Sequence, residues 1–197
     1  MLEQHESFAK LLLLARAAFE SNQAAVTFSA FPIDLNPQPV VPFRIPPADL
    51  MQSETGLFTQ VYAELRDAII VAGALAHWRE TYKDTDIGQD FMDRFGCYPI
   101  IGPCGPYQSS ALWLWMVYMP PHLHYPWHHH PAEEFYLVLA GEAEFHRTGM
   151  PSETLREGDG MFHASNQPHA MTTTDHPVLC LVAWRNGFDV EPVLSDL

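Results

Sequence analysis

Positive charge is scarce in this chain: ten Lys and Arg stand against 24 Asp and Glu, for a formal net charge of −14. That balance repels phosphate backbones and anionic lipid surfaces, which excludes nucleic acid and membrane surfaces as partners. Cysteine is nearly absent as well. Cys97, Cys104 and Cys180 form no even disulfide framework, and such usage points to a reducing cytoplasm. No apolar run approaches the ~20 residues that span a bilayer; the run from Leu11 to Leu14 is bracketed by Lys10 and Arg16. The opening Met-Leu-Glu-Gln-His-Glu lacks the basic region of a secretory signal. Internal repeats and low-complexity tracts are also missing. What is present is 197 residues, 47% of them hydrophobic, enough for one domain with an elaborated terminus or at most two small ones.

The two halves differ in periodicity. From about Ser7 to Ser21, Phe8, Leu11, Leu12, Ala15, Ala18 and Phe19 recur near helical spacing. Six prolines between Phe31 and Leu50 forbid a continuous helix and favour an extended arm. The proline-free stretch from Leu57 to Tyr82 predicts the longest helix, and Asp86 to Phe95 a short one. After Gly102-Pro103-Cys104-Gly105-Pro106 the character turns to strand. Leu112 to Met119 places apolar residues on both faces of a run buried on two sides, ended by Pro120-Pro121. Phe135 to Phe145 reads as a strand pair turning at Ala140-Gly141, Gly158-Asp159-Gly160 as a turn into Met161-Phe162, and Val178 to Trp184 as the closing strand. Short strands at this spacing argue for a barrel or jelly roll. The expected division is a helical extension over 1–100, with a Pro-rich arm at about 31–50, and a β-barrel over 101–197, joined in one compact unit. The helical part covers the barrel, serves a homodimer, or both.

Chemistry concentrates in His128-His129-His130-Pro131-Ala132-Glu133-Glu134-Phe135-Tyr136. On a strand successive side chains alternate, so His128 and His130 project together and His129 points away. Glu134 follows a Pro-containing bend, and Tyr136 follows Glu134 at strand spacing. Two imidazoles, a carboxylate and a phenol thus converge, a set that suits Zn, Fe, Mn, Ni or Cu. A polar His-rich loop is the plain alternative, but the run is internal and flanked by Trp127 and an apolar strand.

The spacing His128-x-His130-x3-Glu134-x6-Gly141, answered by Gly158-Asp159 and Asn166-Gln167-Pro168-His169, resembles the two motifs of the cupins. More narrowly, Tyr125 to Tyr136 and Ser165 to Met171 resemble the Q-type dimethylsulfoniopropionate lyases. The resemblance implies a mainly β fold, a cupin double-stranded β-helix or jelly-roll barrel preceded by several helices. It implies a metal-dependent lyase cleaving dimethylsulfoniopropionate to dimethyl sulfide and acrylate, with Fe, Zn or Mn bound. His130, Glu134, His169 and a displaceable Tyr136 would be metal ligands, with His128 beside the metal. Cupins in general use His128, His130, Glu134 and His169 instead, and the sequence does not choose. Catalytic roles would fall to Tyr125 as base, with Tyr136 and His128. The partner is a small zwitterionic sulfonium, and Tyr125, His128, Tyr136 and Trp184 would line its site.

An aromatic face suits a cation without a hydrogen-bond donor, and Trp127 joins Trp184, Tyr125 and Tyr136 as a candidate for that cage. Trp113 and Trp115 alternate on their strand, so at least one faces the core. His122, His124, His146, His163 and His176 read as loop or surface residues. Two other functions share the ligand set: a cupin dioxygenase or isomerase on another small acid or thiol, and a non-catalytic small-molecule-binding cupin.

Overall fold

The computed structural model describes residues 2–196. Among the described residues there are five helices, all ahead of the main run of strands: α1 Leu2–Ser21, α2 Gln23–Phe28, α3 Pro46–Ser53, α4 Ala63–Gly73 and α5 Gln89–Arg94. The strands are β1 Asn36–Pro37, β2 Gly96–Ile101, β3 Tyr107–Gln108, β4 Trp113–Met119, β5 His124–His129, β6 Glu133–Arg147, β7 Glu153–Arg156, β8 Gly160–His163, β9 His169–Thr172, β10 Val178–Arg185 and β11 Val193–Leu194.

α1 buries the apolar stripe Phe8, Leu11, Ala15, Ala18 and Phe19. It is the longest helix, and the expectation of a helix from Leu57 to Tyr82 is wrong at both ends. Residues 59–62 are held off the helix by a distant carboxylate: Glu157 accepts from Thr59 Oγ1 at 2.6 Å and from the amide of Gln60 at 2.9 Å, and the Thr59 hydroxyl then accepts from the amide of Tyr62 at 3.0 Å. At the other end α4 stops at Gly73, whose carbonyl accepts the Trp78 indole N–H at 2.7 Å. The proline arm also differs from a plain extended chain, because Pro46 and Pro47 open α3, where a missing N–H costs nothing.

The strands form two sheets that share β6. Its first half pairs with β10 and β8, its second half with β7 and β9, and β9 with β5 closes the barrel. The expected turn at Ala140-Gly141 is therefore a correction: β6 is one strand of 15 residues that passes from sheet to sheet at Gly141. Gly141 has φ of 70°, and a Cβ there would lie 1.8 Å from the Pro177 carbonyl oxygen, so this corner admits glycine alone. The sheet reaches back to Gly96 in β2 and, through β3, to Asn36 in β1, and β10 lies between β4 and β6.

β4, β10 and the first half of β6 are buried on both faces. Leu114, Met116, Tyr118, Leu137, Leu179 and Leu181 pack outward under the helices, while Trp115, Val117, Val138, Cys180 and Val182 fill the barrel. The architecture is a cupin-type barrel with helices laid over one sheet.

Candidate metal centre and substrate cavity

Strand register alone gathers the polar cluster. Directly opposed residues of an antiparallel pair share a face. His128 opposes His169 across β5 and β9, while Glu134 opposes His163 on β8 and Trp184 on β10. His130 follows the end of β5, and Tyr136 comes two residues after Glu134. Tyr125 and His128 face the same cavity at an odd spacing because the β5–β9 register shifts between them, a bulge over Pro126-Trp127.

Every member is buried: His128, Glu134 and His169 are 2% exposed, His130 is 3% and His163 is 1%. Burying ionisable groups this deeply is costly unless they are paired. The pairing here is incomplete in an informative way. Nδ1 of His128 donates to the Pro126 carbonyl at 2.8 Å, Nδ1 of His130 to that of Ala132 at 3.0 Å, and Nδ1 of His169 to that of Gln167 at 2.9 Å. A carbonyl only accepts, so each Nδ1 carries the proton and each neutral ring presents a bare Nε2 lone pair. Nε2 of His169 lies 3.0 Å from Glu134 Oε2, and Nε2 of His130 lies 3.6 Å from Oε1. These are close approaches, not hydrogen bonds: Nε2 of His130, His163 and His169 has no hydrogen-bond partner. Lone pairs facing a carboxylate call for a cation between them.

The donor atoms of His128, His130 and His169 lie within 4.8 Å of one another, and so do those of Glu134, His163 and His169. The cluster fits one metal ion of the borderline kind that imidazole and carboxylate hold.

Glu134 is also gripped by the protein. Oε1 accepts the Trp184 indole N–H at 2.7 Å, and Oε2 accepts from His163 Nδ1 at 3.0 Å. Burial opposes its charge, yet His169, His130 and the His163 bond hold its carboxyl well below the usual range. Burial with the neighbouring His169 lowers His163 to about 4, and the same two causes hold His128 well below its ordinary value. His128 and His163 are therefore neutral at pH 7.

Beside the cluster lies a cavity of about 40 Å³ bounded by Tyr125, His128, Glu134, Tyr136, Trp115 and Trp184, with Arg79 and Cys97 at one side. Tyr125 stacks flat on His128 at 3.9 Å. Arg79 stands over the Trp115 ring at 4.7 Å. Burial pushes the phenols of Tyr125 and Tyr136 well above their usual range. A wider open groove of about 690 Å³ between α2 and β8 is walled by Phe28, Phe135 and Phe162 and lies apart from the cluster.

The structure brings His128, His130, Glu134, Tyr136, His169, Tyr125 and Trp184 together. Trp127 it does not; the bulge turns it to the outside, where it packs on His146 at 6.1 Å. His129 turns to Ser195. His163 corrects the expectation of a loop or surface residue. It shares the inner face of β8 with Met161, both buried, while Phe162 between them is exposed. Arg79 and Tyr82 reach the site from the helical half with no motif to announce them.

The dimethylsulfoniopropionate lyase family model matches residues 47–180. The chain is 49% identical over 195 residues to dimethylsulfoniopropionate lyase DddQ of Ruegeria pomeroyi, covering 99% of this chain and 97% of the relative. It belongs to the dimethylsulfoniopropionate lyase family. The crystal structure of DddQ from R. pomeroyi superposes with a TM-score of 0.94 at 50% identity over 96% of both chains. A chain among the crystal structures of the dimethylsulfoniopropionate lyases RdDddP and RnDddQII gives a TM-score of 0.92 at 34% identity over 98% of this chain and 100% of that chain. Members of the lyase family thus share the helical part as well as the barrel.

Proposed function

We propose that this chain is a metal-dependent carbon–sulfur lyase that cleaves dimethylsulfoniopropionate by β-elimination to dimethyl sulfide, acrylate and a proton. The observation that carries the reading is Tyr125 stacked on His128 beside the buried His–Glu cluster, in a chain so close to a named lyase. His130, Glu134 and His169 would hold one Fe, Zn or Mn ion, with Tyr136 and His128 flanking it as fourth ligand or neighbour. Such an ion, when bound, stabilises negative charge on a substrate carboxylate. Three free thiols support a reducing, cytoplasmic setting.

The chain's own residues account for the rest. Tyr125 takes the proton from the carbon next to the carboxylate. The released electron pair forms the double bond to the neighbouring carbon as the carbon–sulfur bond breaks, and sulfur leaves with its pair as neutral dimethyl sulfide. Burial, with Tyr82 and Tyr136 adding to it, disfavours the phenolate of Tyr125; a sulfonium cation against these rings works in the opposite direction. The faces of Trp115, Trp184 and Tyr136 suit that cation, and the attraction is lost once the product is neutral. Because the cavity is only about 40 Å³, the lining side chains part to admit a substrate of this size.

The test is headspace dimethyl sulfide from metal-loaded protein. Tyr125→Phe is expected to keep its metal and lose at least ~100-fold in turnover, the low end for a positioned base. Wild-type turnover in that variant moves the base role to Tyr136 or His128, and absence of dimethyl sulfide from the wild type sinks the reading.

A further inference from the structure

We propose that Tyr82, which lies outside both metal-binding motifs, is a positioning residue that sets the hydroxyl of Tyr125. The inference rests on the reading of Tyr125 as base. The two hydroxyl oxygens are 3.0 Å apart, and Tyr82 is the one hydrogen-bond partner of the Tyr125 hydroxyl among the described residues. The Tyr82 ring stands edge-on to both members of the stack, 6.0 Å from Tyr125 and 6.3 Å from His128.

Its backbone supplies a second, independent observation. Tyr82 has φ of 70°, the left-handed region that a bulky aromatic residue occupies at a cost and that persists only where the surroundings enforce it. They do so here. The Tyr82 carbonyl accepts from both the amide of Thr85, at 3.0 Å, and its hydroxyl, at 2.8 Å, closing a turn that drives the ring inward against Phe91. The side chain ends 7% exposed in a segment otherwise rich in exposed charge.

The chemical reason is orientation. A phenol oxygen has one proton and lone pairs whose direction is free until a partner fixes them. With Tyr125 as the phenolate and Tyr82 donating, one lone pair of the Tyr125 oxygen is engaged and another stays aimed at the carbon acid. Once Tyr125 has taken the proton, the same contact holds it with donor and acceptor exchanged. No metal ligand takes part, so the loss of this contact alters the proton-transfer step and leaves the metal in place.

Tyr82→Phe is expected to lower kcat about tenfold, the loss of one well-placed hydrogen bond in the transition state, with KM and metal content unchanged. The double variant Tyr82→Phe/Tyr125→Phe should be no slower than Tyr125→Phe alone, because the Tyr82 hydroxyl acts only through Tyr125. Multiplying losses in the double variant, or wild-type kcat in Tyr82→Phe, overturns the proposal. Thr85→Val provides a second route should Tyr82→Phe fail to fold: it removes one tie on the turn, should lower kcat in the same direction, and overturns the proposal if kcat holds. Tyr125→Phe run alongside separates the two readings. Full turnover there removes the base assignment itself, whereas impaired Tyr125→Phe with unimpaired Tyr82→Phe removes only the role of Tyr82.

Discussion

The outward and inward faces of β4, β6 and β10 share one backbone and differ entirely in what they carry. Outward, Leu114, Met116, Leu137, Leu139, Leu179 and Leu181 meet the helices with no polar atom to satisfy, and the hydroxyl of Tyr118 beside them donates to Glu54 at 3.0 Å. Inward, the same strands supply Trp115, Glu134, Tyr136 and Trp184 to the cavity. The outer face has only to fill volume, which many combinations of side chains achieve. The inner face must solve a hydrogen-bond problem with few solutions, because every buried donor and acceptor there needs a partner. A one-residue slip in any of these strands would exchange the two roles. The helices thus press the strands from outside and hold the register on which the inner chemistry depends.

The comparison breaks most severely at the candidate ligands. His130→Ala, Glu134→Ala and His169→Ala are each expected to lose most bound metal and to fall to background turnover, since removal of one donor breaks the chelate. Far-UV circular dichroism should stay native while elemental analysis reads the loss; wild-type metal content in all three would overturn the assignment.

On the opposite face, Leu181→Ala should lose ~2 to 5 kcal/mol of stability in urea unfolding, because it opens a cavity beneath the helices. Leu181 is 1% exposed. The kcat of the folded protein should hold, and a large fall in kcat at full folding would show that the two faces are not separable.

The smallest effect sharpens the inner face itself. Trp184→Phe keeps a ring for the sulfonium but deletes the donor to Glu134, so it should weaken metal binding ~10-fold or more with substrate affinity little changed. Trp184→Ala should lose both, adding ~1 to 2 kcal/mol of substrate binding, about five- to thirty-fold. A neutral thioether analogue separates cation attraction from packing: equal losses for analogue and sulfonium would reduce Trp184 to a wall.

The inner face was unevenly legible. The two faces of Leu112 to Met119 follow from simple alternation, and the bend at Pro131 with the i, i+2 pairs His128/His130 and Glu134/Tyr136 locates the cluster. What escaped reading was set by distant partners. The start of α4 depends on Glu157, almost a hundred positions away, so a run of helix formers beginning at Leu57 misleads. His163 stands on a four-residue strand too short to display a period. Tyr82 sits in a turn with no pattern at all, and only its contact with Tyr125 reveals it. Trp127 fails for a related reason: the bulge at Pro126-Trp127 breaks the alternation that proximity to the histidines suggests.

The clustered imidazole rings and the clustered carboxylate are supported by different kinds of atom. His128, His130 and His169 each lean on a main-chain oxygen two positions away in their own segment, Pro126, Ala132 and Gln167. No substitution deletes a carbonyl, so the aim of these imidazoles is inherited with the chain path and is indifferent to drift in the surrounding side chains. Glu134 leans instead on Trp184 and His163, both replaceable by a single codon change. Evolutionary retuning of this centre, whether toward a harder or a softer ion, has therefore one open dial, the carboxylate, while the nitrogen donors stay fixed.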